Sequence, residues 1–326
     1  VRAIVFEEYG GPEVLRPTEV AAPTAAPGLV RVDLRASALN WHDVLVRQGR
    51  YGSALPHVLG ADGAGVRADT GEEVVIVPSL AWGDRQAAPG PEWEILGDHR
   101  WGTCAESVLV PAEVLAPRPK GWSWHQSAAL GLVGVTVQRG LVTRGRLAAG
   151  ESVLVLGAGG GVATMAVQLA SAVGADVWVT SSSTEKIDHA RSMGAAGGVL
   201  YTDPDWVAQA REMSPSGEGF DLVLDSVGVW ADAIGAARTG GRIVVLGASR
   251  AERADIDIRP FYFGQYEIIG TTMGSPRDFT DLMALVADGR LGPPPIASVH
   301  PLDRAAAAHA ELEAGGAVGK IVLDHT

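Results

Sequence analysis

The stretch VLVLGAGGGVATMAVQLA, residues 153–170, constrains this chain more than any other. A short apolar run ends in a cluster of glycines and opens at once into a segment with helical spacing. A buried strand that turns straight into a helix leaves N–H groups unpaired and places the positive end of the helix dipole at the turn. Small residues there let the backbone approach a pyrophosphate. Two frames fit. From Gly157 the pattern is G-x-G-x-x-V, which puts Val162 where a small residue is wanted; from Ala158 it is A-x-G-x-x-A, through Gly160 to Ala163. The second is preferred, because Ala163 permits close contact between helix and strand. The residues expected at a dinucleotide are Ala158, Gly159, Gly160, Gly161 and Val162.

The surroundings give the turn its meaning. From Glu151 onward apolar runs alternate with helical ones: SVLVLG, DVWVTSS, GGVLYT, DLVLDSVG, RIVVLGAS and YEIIGTTM, six strands in all. That grammar predicts an α/β fold with a parallel, doubly wound sheet. The first 120 residues read differently, with VRVDLRAS, EEVVIVPS and ESVLVPAEVLAP set between Pro/Gly turns as in a twisted β-rich domain. Residues 79–101 lack periodicity and read as a surface lobe, and SWHQSAALGLVGVTVQRGLVTRG reads as helical with Ser123 as its N-cap. After Ser275 come a helix, ASVHPL, a second helix and a closing strand GKIVLD, a piece too small for its own core that is expected to return to the first domain. Two domains suit 326 residues. The expected boundaries are 1–120 with 273–326, and 121–272.

The end of the second strand bears on which dinucleotide is held. An NAD site has an acidic residue about 20 positions beyond the turn, on the ribose hydroxyls. Here DVWVT runs into SSSTEK, and Ser181 stands where the acid would. Hydroxyls of Ser181 and Ser182, with the charge of Lys186, suit a 2′-phosphate, so NADPH is the expected cofactor. Ser181–Thr184 equally suit a helix cap, and the two roles are compatible.

Charge excludes other partners. The formal net charge is −12 with no dense Lys/Arg cluster, which argues against nucleic acid and anionic membranes. No apolar run approaches the ~20 residues of a membrane span. VRAIVFEEYG reads as strand and turn, unlike a signal peptide, so a cytoplasmic protein is expected. Cys104 is the single Cys, which leaves no internal disulfide and no Cys-rich metal site.

The segments LGADGAGV, LGDHRWGTCAESVLVP, LVLDSVG, FGQYEIIGTTMGS and GKIVL, in that order, resemble the medium-chain dehydrogenase/reductase superfamily over nearly the whole chain. The resemblance implies a GroES-like catalytic domain beside a Rossmann domain. Zinc-type members carry a Cys, a His followed by Glu, and a Cys or Asp at places that are here Asn40, Ala61 with Asp62, and Leu132. Zinc needs three protein ligands and an open position, so no metal is expected. The family's four-Cys lobe falls between Ser79 and Trp101, where this chain has no Cys. What remains is similar to the zinc-free quinone oxidoreductase branch, whose Asn, Asp, Arg and Tyr match Asn40, Asp43, Arg47 and Tyr51. Leu45 departs from relatives with a Tyr there, while His42 and His57 read as ordinary polar residues.

On that resemblance, Asn40 positions the substrate oxygen or the nicotinamide ribose. Tyr51 donates to the reduced oxygen, and Asp43 locks the Asn40 loop or Arg47. Trp41 and Tyr262 flank an apolar acceptor. Ser226, Val227 and Gly228, with Gly247, Thr271 and Thr272, line the nicotinamide. The implied activity is an NADPH-dependent, zinc-independent reduction of a small hydrophobic quinone or conjugated (α,β-unsaturated) carbonyl, in a homodimer paired along YEIIGTT. Two rivals stay open: a reductase of a dedicated metabolite such as an enoyl thioester, and an NADPH-binding sensor without catalysis.

Overall fold

The computed structural model describes residues 1–24 and 26–326. The chain divides into two compact units, the first made of Val1–Val135, Ser275–Thr280 and Pro293–Thr326, the second of Thr136–Gly274 and Asp281–Gly292.

The second unit is built on six parallel strands. In spatial order they are Ala195–Leu200, Asp176–Ser181, Ser152–Val155, Phe220–Asp225, Ala237–Val245 and Glu267–Gly270. Val153, Leu154 and Val155 are all buried, as the continuous apolar run requires of a strand covered on both faces. The helices Gly161–Val173, Thr184–Ser192, Trp206–Met213 and Trp230–Ala236 make the crossovers. The first strand in sequence lies between the second and the fourth, so strand order reverses there. Ligands of doubly wound sheets bind beyond the carboxyl ends of strands at such a point. The turns Gly157–Gly160 and Asp225–Gly228 both sit there.

In the first unit Leu115–Pro117, Glu73–Ile76, Asp62–Arg67, Leu29–Ala38, Lys320–Asp324 and Ile296–Pro301 lie side by side, with Ser107–Pro111 also paired to Leu29–Ala38. Register brings Asp62 opposite Ala38, and Val322 opposite Ala38 from the other side. Asn40, two residues past that central strand, therefore stands between Asp62 and Lys320. Phe6, Leu39, Val46, Val58, Leu59, Ile321 and Leu323 form the core beneath, each such side chain stabilising by roughly 1.5–3 kcal/mol on burial.

Two segments differ from the sequence expectation. The lobe at 79–101 has a core of its own. Ser79–Leu80 pairs with Glu94–Ile95, and Trp82, buried, meets Trp93 edge-on at 6.0 Å between ring centroids. The indole N–H groups are paired, Trp82 to the Arg85 carbonyl and Trp93 to Ser79 Oγ, both at 2.9 Å. The single helix expected after Ser123 is interrupted: Ser123 caps Trp124–Ala128 together with Gln126, and a second helix runs Gly131–Gln138. The break frees the Leu132 N–H for the Asp62 carboxylate, at 2.6 Å. Gly131 is required beside it, because a Cβ there would lie 2.6 Å from Asp62 Oδ1. No helix among the described residues is long and apolar enough to cross a membrane.

Candidate active site

The three places that the resemblance equates with zinc ligands do come together, and a buried polar network fills them. Asp62 is fully buried, and both carboxylate oxygens are engaged: Oδ1 accepts from the Leu132 N–H, and Oδ2 accepts from Asn40 Nδ2 at 3.0 Å and Lys320 Nζ at 3.1 Å. Lys320 also donates to Asn40 Oδ1, and Asn40 Nδ2 reaches the Ala38 carbonyl at 3.4 Å. The ammonium balances the carboxylate inside the protein, which a buried charge requires. This donor set does not fit a zinc ion. It offers one carboxylate already saturated with hydrogen bonds, an amide, and a cation. Lys320 is the member that sequence reasoning missed. Its GKIVL segment reads as a closing strand, and only the register next to Leu29–Ala38 shows where its side chain goes.

The Trp41–Arg47 helix carries the other candidates of this unit. Asp43 Oδ2 accepts the Asn40 N–H at 2.8 Å and so holds the residue that starts the helix. Burial pushes the Asp43 carboxyl up to about 6, against the pull of His42 and of the Asn40 hydrogen bond. Arg47 is fully buried and donates through Nε to the Gly10 carbonyl at 3.1 Å and through Nη2 to Glu313 at 2.8 Å, so it ties the helix into the unit. Trp41 and Tyr51 are exposed, at 45% and 42%. Burial of part of its ring and the charge of Asp98 push the Tyr51 phenol above its ordinary value. His42 is bonded through Nε2 to Asp98, and its ring lies 4.5 Å from that of Tyr51. His57 Nε2 donates to the Gly97 carbonyl at 2.8 Å, because a carbonyl only accepts. Cys104 is buried, and burial pushes its thiol up, which keeps it neutral and inert.

In the second unit the glycine turn leads into Gly161–Val173 with no side chain capping the helix, and open space surrounds Gly160. Those uncapped N–H groups suit a phosphate. Gly157 has φ +112°, and a Cβ there would meet Ala163 at 3.8 Å, so Ala163 makes the close approach while Val162 is half-buried. Ala158 and Gly159 are buried, Gly160 exposed and Gly161 half-buried. Thr180 Oγ1 fastens the turn by accepting the Gly157 N–H at 3.0 Å.

At the end of the second strand Ser181 is buried, and its Oγ accepts the Ser183 N–H at 3.1 Å, leaving the hydroxyl proton free to donate. Ser182 is exposed and Lys186 half-buried. The Ser181 carbonyl accepts the Tyr201 N–H at 2.9 Å, and the Arg250 guanidinium stacks 5.5 Å from the Tyr201 ring. This cation and ring were not found from sequence, since Arg250 lies 69 positions beyond Ser181 in a segment with no motif.

Asp225 gathers its loop. Its Oδ1 accepts the N–H groups of Val227 at 2.7 Å and Gly228 at 2.8 Å, and Oδ2 that of Val229 at 3.0 Å. Burial outweighs these bonds and pushes its carboxyl up. The N–H groups of Val227 and Gly228 are thereby spent inside the protein, and Ser226 is half-buried with its carbonyl accepting from Ser249 Oγ at 3.4 Å. Gly247 packs on it so closely that a Cβ would lie 2.6 Å from the Ser226 carbonyl. Thr271 has a buried Oγ1 that takes no hydrogen bond among the described residues, and Thr272 is exposed. An orphaned hydroxyl of this kind fits a carboxamide such as that of nicotinamide. Tyr262 stands 49% exposed on Ile258–Phe263 of this unit.

Residues 26–120 match the alcohol dehydrogenase GroES-like domain, and residues 161–288 match the zinc-binding dehydrogenase family. The quinone oxidoreductase of Pseudomonas aeruginosa is 31% identical over 99% of both chains. The chloroplastic NADPH-dependent alkenal/one oxidoreductase of Arabidopsis thaliana is 34% identical over 76% of this chain and 62% of its own length. Among solved structures an NAD-dependent alcohol dehydrogenase, 38% identical, superposes over 100% of both chains with a TM-score of 0.95. With its GroES-like unit, its doubly wound sheet and these nicotinamide-dependent relatives, the chain is an oxidoreductase of the medium-chain dehydrogenase/reductase superfamily, in its quinone oxidoreductase-like branch.

Proposed function

We propose that the chain is an NADPH-dependent, zinc-independent reductase that delivers hydride to a quinone or an α,β-unsaturated carbonyl. The observation that carries this reading is the Asn40–Asp62–Lys320 network at the places of the family's metal ligands. Such a network provides no Lewis acid to polarise a simple ketone. A conjugated acceptor is already electrophilic and needs proximity, orientation and a few donors. The named activities of the Pseudomonas and Arabidopsis relatives support the same acceptor class.

The reduced nicotinamide supplies the hydride when bound. Gly160, Gly161 and the helix N-terminus hold its pyrophosphate, and Thr271 orients its carboxamide. Asn40 has both amide hydrogens engaged, so it acts as a positioning residue that fixes Asp62 and Lys320. Tyr51, exposed and protonated, is free to donate to an acceptor oxygen. Trp41 and Tyr262 offer apolar surface for the acceptor on their respective units. Ser182, Lys186 and Arg250 form the donor set for the 2′-phosphate, at a strand end that has no carboxylate. We take the assembly as a homodimer through Glu267–Gly270, the edge strand of its sheet, whose unpaired backbone groups invite a second copy.

The test follows loss of reduced-nicotinamide absorbance with chelator-treated protein, a simple quinone and a simple enone. Turnover is expected with both, unchanged by chelator and faster with NADPH. Removing charge with Lys186→Ala plus Arg250→Ala should raise the KM for NADPH on the order of 10–100-fold, the worth of one or two charge-assisted bonds, and leave that for NADH unchanged. Activity that appears only with added zinc, or an NADH preference in the unaltered protein, overturns the corresponding half of the reading.

A further inference from the structure

We propose that His42 is the acid that completes the reduction, held in orientation by Asp98. The inference rests on the reductase reading above and extends it to the source of the proton.

The Trp41–Arg47 helix commits most of its polar groups. Asp43 is spent on the Asn40 N–H, and Arg47 on Gly10 and Glu313. Asn40, Asp62 and Lys320 are spent on one another. Asp43, Val44, Val46 and Arg47 are buried, while His42 and Leu45 are half-buried. Positions three apart share one face of a helix, so this face presents His42 as its polar group and Leu45 as its apolar one.

His42 is tied by Nε2 to Asp98 Oδ1, with side-chain exposures of only 11% and 8%. A carboxylate accepts and does not donate, so Nε2 carries a proton and Nδ1 is the nitrogen left to act. The bond fixes ring orientation and tautomer. Tyr51 lies against the imidazole at 4.5 Å and 64°, with its ring partly in solvent. A phenol holds its proton too tightly to be a strong acid at neutral pH, whereas an imidazolium is matched to the task. Asp43 on the same helix feels the charge of His42, and His57 feels that of Asp98 and His99.

With an enone, hydride from a bound nicotinamide would form a C–H bond at the β-carbon, and the C=C electron pair would move toward the carbonyl to give an enolate. The Nδ1–H bond of the imidazolium breaks, its proton forms a C–H bond at the α-carbon, and the pair stays on Nδ1. The neutral ring keeps Nε2–H on Asp98 and regains a proton from water. A reduced quinone carries its charge on oxygen and takes protons from water directly, so it depends less on His42.

The experiment uses the full chain, first shown to reduce both an enone and a quinone. In His42→Gln and His42→Ala the kcat for enone is expected to fall on the order of 100-fold, with NADPH binding unchanged as proof of folding and quinone turnover much less affected. Added imidazole should restore part of the His42→Ala rate. Asp98→Asn should act in the same direction by a smaller factor. Retention of the unaltered enone kcat in His42→Ala overturns the proposal. So does equal loss of enone and quinone turnover without imidazole rescue, which marks a structural role. Failure of the unaltered protein to reduce either acceptor is a different result and sinks the reductase reading itself.

Discussion

Lys320→Met is expected to lower the free energy of unfolding by about 3–5 kcal/mol, the cost of breaking a buried ion pair by removing one partner. Asp62 and Lys320 are 0% and 3% exposed at the side chain, so no water can take the place of the lost ammonium. The isolated pair need not be a net gain over two apolar residues, because desolvation offsets much of the attraction. The half-pair is another matter: Asp62 would be left with only the Leu132 N–H and Asn40 Nδ2 as donors. Adding Asp62→Leu to Lys320→Met should therefore recover part of the loss, though not the bonds to Leu132 and Asn40. Urea unfolding of the single and double variants measures this. A loss under about 1 kcal/mol in Lys320→Met would mean that the pair is solvated in solution.

The fold should also weaken steeply in mild acid, well before ordinary carboxylates titrate. His309 is fully buried with neither ring nitrogen hydrogen-bonded among the described residues, and burial with the nearby Arg47 charge pushes it down to about 3. His325, bonded to Ser37 Oγ at 2.9 Å, is pushed down by burial to about 4. The unfolded chain protonates both near the ordinary value of 6.5 and the folded chain does not, so stability falls as pH drops through this window. At about 1.4 kcal/mol per unit and group, the two withdraw roughly 7 kcal/mol by pH 4. Asp43 works in the opposite sense, since its folded value of about 6 lies above the ordinary 3.8, and it returns roughly 3 kcal/mol over the same range. The net loss is on the order of 4 kcal/mol. His309→Leu should remove roughly half of the histidine loss and, with Asp43 still working in the opposite sense, leave stability nearly flat between pH 6.5 and 4, and unfolding curves at several pH values would show it. An unchanged slope would place the acid sensitivity elsewhere.

The second unit was legible because its signals are local. Apolar runs, a glycine turn and helical spacing each lie within about a dozen residues, and strand order follows from the doubly wound pattern. The candidate site divides along the same line. Asn40, Asp43 and Tyr51 lie in one short segment and are legible together as candidates, whereas Asp98 bonds a histidine 56 positions away and Lys320 an aspartate 258 away. Nothing in a sequence says that a lysine in a closing strand turns inward unless the register beside it is known. His42 was read as an ordinary polar residue for the same reason, its partner being out of local reach. The lobe at 79–101 has no periodicity because two tryptophans and two very short strands organise it.

The register that seats Lys320 also sets an order of events at the ribosome. The strand Leu29–Ala38 is synthesised early, yet one of its three partners is Lys320–Asp324, and Lys320 lies 280 residues beyond Asn40. All of the second unit emerges in between, so it can fold while the first still shows a bare strand edge and an Asp62 without its cation. An open edge of that kind is a site for wrong pairing. The nascent chain is thus most exposed to misassembly through the very strand that later carries its candidate site, and arrival of Lys320 closes the edge and neutralises the carboxylate in one event.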